Sequence, residues 1–215
     1  MILCKLTDQD MKTRNGFQWE LGVTAKPLTG EGGLCSPGFY HCYTHPLLAV
    51  LLNPIHARIE NPRLFLIEDG GKSLNDNGLK MGFTEMTLVE EIPLPVITTE
   101  QRVRFAIYCA LEVYDDSNFK TWAKNWLSGV DKSTESLKFT IWRTKGSTTS
   151  WRRKKALWSA ELAVQAASKS AAWSSEEASK SAARAAAEAA AEATWAAGSR
   201  AIDLLAIAIR ACDET

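Results

Sequence analysis

At 215 residues with 46% apolar side chains, the chain can bury a core without disulfide or metal staples, which sets aside the small stapled scaffolds. No apolar run approaches the roughly 20 residues of a membrane span, Met1-Ile2-Leu3-Cys4-Lys5 lacks signal-peptide order, and five irregularly spaced cysteines suit reduced thiols, so a cytoplasmic location without a membrane partner is expected. Net charge is zero, yet residues 1–100 hold 8 Lys/Arg against 12 Asp/Glu and residues 101–215 hold 17 against 13, a mild asymmetry that suggests two modules attracting one another.

The first hundred residues carry most of the prolines and glycines, and their apolar residues come in short runs, the texture of small strands joined by turns. Met1 to Leu6 reads as a strand. Phe17 to Val23 alternates apolar and polar after the turn dipeptide Asn15-Gly16, which predicts a half-buried strand with Phe17, Trp19 and Leu21 on one face. Thr44 can cap a short helix with Pro46 in its first turn, carrying Leu47 to Leu52 and stopping before Pro54. Ile55–Glu60, Arg63–Glu68 and Lys80–Leu94 read as further strands, separated by Asn61-Pro62 and by a turn-rich loop over Asp69 to Gly78.

At Thr98 the period changes. Thr98-Thr99-Glu100-Gln101 is a capping box, and Val103, Ala106, Ile107, Ala110, Leu111 and Tyr114 follow at helical spacing. A second helix is predicted from Ser117, burying Phe119, Trp122, Ala123 and Trp126 before Gly129, and a third over Thr134 to Trp142. From Ser150 onward alanine dominates. Ser174-Ser175-Glu176-Glu177 divides this segment into helices over about Trp151–Ala172 and Ser175–Ala197, and Gly198-Ser199 opens a last helix with a stripe of Ile202, Leu205, Ala206 and Ile209. Small side chains let helix axes approach, with Trp151, Trp158, Trp173 and Trp195 filling wider gaps; a single long solvated helix is the alternative. The expected fold is α+β: a small mixed β-sheet head with one short helix over 1–97, then an Ala/Trp-rich all-α bundle over 98–215.

Chemically able side chains concentrate in Leu34 to Pro46. Cys35, His41, Cys42 and His45 offer the ligand types of a zinc centre, but adjacent His41 and Cys42 would face opposite ways on a strand and no C-x-x-C knuckle is present, so packing is the favoured reading. Cysteine-protease chemistry would need Cys35 or Cys42 brought to His56 by the fold. Asp69-Gly70-Gly71-Lys72-Ser73 lacks phosphate-loop spacing, and the pairs Asp115-Asp116 and Glu90-Glu91 read as solvated or capping carboxylates. No cofactor is expected. Arg143 to Lys155 combines six cations (Arg143, Lys145, Arg152, Arg153, Lys154 and Lys155) with Trp142 and Trp151. The plain reading is a linker and a basic first helical turn; cations there oppose the helix dipole and await an anionic partner, an acidic protein surface or a nucleic acid.

Two stretches resemble domains of phage and prophage proteins. Gly16-Phe17-Gln18-Trp19-Glu20-Leu21-Gly22, then Leu34-Cys35-x-x-Gly38-Phe39-Tyr40-x-Cys42 and His45-Pro46-Leu47, resemble an uncharacterised domain, with Tyr40 where that family commonly has His. Gln101 to Ala110, with Trp122-x-x-x-x-Leu127-x-Gly129 and the Ala/Trp-rich helices, is similar to helical domains described as immunity proteins, which implies that the bundle binds and neutralises another protein. The expectation is a non-catalytic phage-encoded interaction protein acting in the host cytoplasm on a bacterial host protein, a defence effector, as an anti-CRISPR or other anti-defence inhibitor does. One alternative is an ADP-ribosyltransferase-like NAD-binding enzyme using Tyr40, His41 and Glu85; another is a nucleic-acid-binding accessory protein.

Overall fold

The computed structural model describes residues 2–34, 36–134, 150–172 and 176–213, and the chain divides into two compact units, Met1–Val96 and Ile97–Thr215. The first unit runs β1 (Cys4–Thr7), β2 (Lys12–Thr13), β3 (Phe17–Gln18), β4 (Tyr40–Cys42), α1 (Pro46–Leu52), β5 (Arg63–Asn75) and β6 (Met81–Ile92). Its main sheet has the order β1-β5-β6-β4, antiparallel between neighbouring strands, while an isolated bridge from Leu21 to Leu88 runs parallel. Cys4 and Tyr43 exchange backbone hydrogen bonds of 2.9 and 2.8 Å, so the two outer strands are tied together at one end and their free edges shortened. The N–H groups of Gly22, Ala25 and Leu28 donate to the carbonyls of Leu88, Met86 and Thr84, covering the flank of β6 that β4 leaves open. Trp19, Phe65, Met86 and Leu88 centre the core, and Leu48 to Leu52 of α1 are all buried.

The second unit is helical: α2 (Thr99–Leu111), α3 (Ser117–Leu127), α4 (Trp151–Ala172), α5 (Glu176–Ala197) and α6 (Leu204–Asp213). Together with the sheet unit this is the expected α+β class. The Thr98 hydroxyl accepts from the Gln101 N–H and the Gln101 side-chain carbonyl accepts from the Thr98 N–H, so the capping box forms as read. The alanines form a compact bundle rather than one solvated rod. α4 and α5 pack along each other and both pack on α2, with Ala160, Ala163, Ala167, Ala186 and Ala189 almost fully buried. Ser159, also buried, donates to the Ala189 carbonyl at 2.8 Å, a contact open only to closely spaced helices.

Several local expectations change. Pairing in the Phe17 strand ends at Gln18, where Met11 opposite Trp19 takes φ +60° and Gly22 then takes φ +75°; Trp19 is buried while Phe17 and Leu21 are exposed. His45, not Thr44, caps α1, its Nδ1 accepting from the Leu47 N–H at 3.2 Å. Residues 55–60 are a turn and loop, held by Asn53, whose amide bonds both the N–H and the carbonyl of Ile59. The expected loop over 69–78 is mostly strand: β5 continues to Asn75 through a register shift between Gly70 and Ser73, and the chain reverses at Asn77-Gly78, both at positive φ, the pattern of a type I′ hairpin turn. α6 begins at Leu204 with Asp203 accepting from the Ala206 N–H, and it buries Leu204, Ala208 and Ala211 while Ile209 faces solvent. The predicted helix over 134–142 and the Ser174-Ser175 cap lie largely outside the described residues.

Candidate functional site

The Cys/His segment becomes β4 and the cap of α1. Tyr40, His41 and Cys42 pair with Phe83, Gly82 and Met81, which sends His41 to one face and its two neighbours to the other. Cys42 is fully buried beside Cys4, and burial pushes its thiol up to about 12, so almost none is thiolate at neutral pH. His45 spends Nδ1 on its cap. Cys35 lies outside the described residues, and among the described residues no group of three His, Cys, Asp or Glu is placed to hold a metal ion. Gly38 is required not by a positive φ but by proximity, since a Cβ there would overlap the Glu31 carbonyl.

The composition of this segment conceals the group at its centre, Lys5. The side chain of Lys5 is buried, its Nζ donates to the His41 carbonyl at 2.6 Å, and the same Nζ stands 4.7 Å from the Trp19 ring centroid. Burial lowers its pKa to about 8. Trp19 in turn packs on Phe17 and Tyr40, and the Tyr40 hydroxyl donates to the Lys26 carbonyl at 2.8 Å. Glu85 lies elsewhere on the sheet, against Gly70 and Gly71, and among the described residues no hydrogen bond joins Tyr40, His41 and Glu85. His41 Nε2 and His56 Nδ1 are buried without a hydrogen-bond partner among the described residues, and burial followed by the charge of Lys80 lowers both imidazoles to about 4. His56 stacks on Tyr43, and among the described residues no hydrogen bond joins it to Cys42.

Residues 1–100 match the family model of a domain of unknown function, DUF7666. That matched segment holds the Gly-Phe-Gln turn, the strand at Tyr40 and the capped α1 just described. No curated protein and no solved structure matches the chain.

The helical unit holds a different constellation. Trp151, Trp158 and Trp195, expected as gap fillers, are instead 57%, 44% and 41% exposed. They gather round Lys155, whose Nζ lies 5.8, 4.9 and 4.5 Å from their ring centroids and 2.9 Å from Glu192 Oε2. Helical spacing explains the assembly. Trp151 and Trp158 stand four before and three after Lys155 on α4, and Glu192 and Trp195 stand three apart on the adjacent α5. The Lys155 and Glu192 side chains are each only 14% exposed, so the pair is a fixed strut under the indoles. Arg152, Arg153 and Lys154 are exposed beside it, with no ion-pair partner among the described residues, and Arg152 packs against Gly198. Arg143 and Lys145 lie outside the described residues. The spacing W-x-x-x-K-x-x-W with E-x-x-W later in the chain was the available signal for this face.

The carboxylate pairs take structural positions. Glu91 receives the Arg63 guanidinium at 2.9 Å, Asp115 pairs with Lys120, and Asp116 caps α3 through the Phe119 N–H.

Proposed function

We propose that the chain is a non-catalytic interaction protein whose helical unit binds another protein through the Trp151, Trp158 and Trp195 face. The observation that carries this reading is three large indoles held at the surface around an internally neutralised lysine. Exposed apolar area of that kind costs solubility, and tryptophan is the residue most enriched where binding energy concentrates. The narrower reading, a phage-encoded protein that inhibits a bacterial defence-type protein in the host cytoplasm, rests on the resemblance of residues 101–129 and the following helices to immunity proteins. It is in keeping with the fact that no described helix is long and apolar enough to cross a membrane.

The test is chemical cross-linking in bacterial host cells followed by recovery of the full chain. A partner recovered with the wild type should be lost from a Trp151→Ala/Trp158→Ala/Trp195→Ala variant whose far-ultraviolet circular dichroism is unchanged. Equal recovery with the folded variant would reject the face.

A further inference from the structure

We infer that the Trp151/Trp158/Trp195 face takes an acidic protein segment carrying an aromatic or aliphatic anchor, an inference that rests on the binding reading above. Its first support is the distribution of unneutralised charge. Elsewhere in the helical unit several exposed cations have carboxylates, Lys180 with Glu176, Arg184 with Glu188 and Lys120 with Asp115 on the helices and Lys132 with Glu100 beyond α3, while Lys124 stands singly without one among the described residues. Arg152, Arg153 and Lys154 form a cluster of such charges, standing in consecutive positions in the first turn of α4 with no carboxylate partner among the described residues. The positive end of the helix dipole lies at the same turn, so the charge there is doubly uncompensated.

The second support is how Lys155 is used. Its charge is already met by Glu192, and its ammonium is the hub on which the three indoles lean, so it orders the face without serving as the recognition charge. Ordering the indoles beforehand removes part of the entropy that a partner would otherwise have to overcome. The face therefore offers a preformed aromatic surface bordered on one side by free cations. Its complement is an apolar anchor flanked by carboxylates, drawn in by the cations and held by the indoles. A cationic partner meets repulsion at the rim. A nucleic-acid strand would need a longer track of phosphate contacts than one helical turn of three cations supplies.

The test selects a library of displayed random peptides on the full chain and counter-selects it on a Trp158→Ala/Trp195→Ala variant. The expected winners carry net negative charge and at least one aromatic or large aliphatic residue. Binding of the best peptide should weaken by at least about tenfold in an Arg152→Glu/Arg153→Glu/Lys154→Glu variant, and these exposed substitutions leave the helical core intact. Neutral or basic winners, no winner that separates wild type from the Trp variant, or undiminished binding by the charge variant would each overturn the acidic-segment inference. So would tight binding, lost in the charge variant, of an oligothymidylate or of phosphatidylglycerol vesicles. The general binding reading fails separately, when the cross-linked host partner survives loss of the three tryptophans.

Discussion

Lys5 is a buried cation that faces an aromatic ring and a carbonyl, with no carboxylate in ion-pair contact among the described residues. Burial lowers its pKa from 10.5 to about 8, so between those values the folded chain binds fewer protons than the unfolded one, and stability should rise as pH increases through that window. A shift of that size corresponds to roughly 3 kcal/mol. Lys5→Met keeps the volume and removes the charge, so it should raise the urea midpoint at pH 7 and abolish the alkaline gain, together about 1–3 kcal/mol. An unchanged pH profile in Lys5→Met would reject this account. His41 and His56 act at the acid end. Both are lowered from 6.5 to about 4, so the unfolded chain takes up protons that the fold refuses, and stability should fall as pH drops from 6.5 towards 4. His56→Phe preserves the stack on Tyr43 and should flatten part of that slope, read by urea titration at pH 7, 5.5 and 4.5. None of the three groups announces itself in the sequence, because burial of a lysine or histidine is decided by strands distant in the chain.

At the scale of elements, what was legible is what local chemistry decides. The capping box at Thr98, the Phe119/Trp122/Ala123/Trp126 face of α3 and the long alanine helices follow from short-range signals and appear as read. What was illegible depends on partners. The same period-two pattern that promised a strand at Phe17 to Val23 gives way once Met11 and Gly22 take positive φ, and α6 turns a different face inward because α2 chooses it. The tryptophans mislead for a related reason: alanines already close the α4–α5 gap, so no space remains for an indole there. That closeness is testable. Ala189→Leu inserts three carbons opposite buried Ser159 and should lower stability by about 1–3 kcal/mol, whereas the exposed Trp158→Ala should cost far less; similar losses for the two would mean the interface is loose.

For the whole molecule, the sheet unit and the helical unit each contain the interactions that hold them. The head ties its outer strands through Cys4 and Tyr43 and fills its core around Trp19 and Phe65. The bundle joins its first and last helices within itself, Gln101 donating to the Cys212 carbonyl at 2.9 Å and Arg210 lying 4.1 Å over the Tyr108 ring. Neither set needs residues of the other unit. Expressed apart, residues 1–96 and 97–215 should therefore each show a cooperative thermal transition, and the two midpoints should reappear in the intact chain within a few degrees. A helical fragment that melts without cooperativity, or gains a transition only when the head is added back, would show that folding is shared. If the fragments fold, partner binding that depends on Trp158 should remain with 97–215 alone, because every residue of that face, from Trp151 to Trp195, belongs to the bundle.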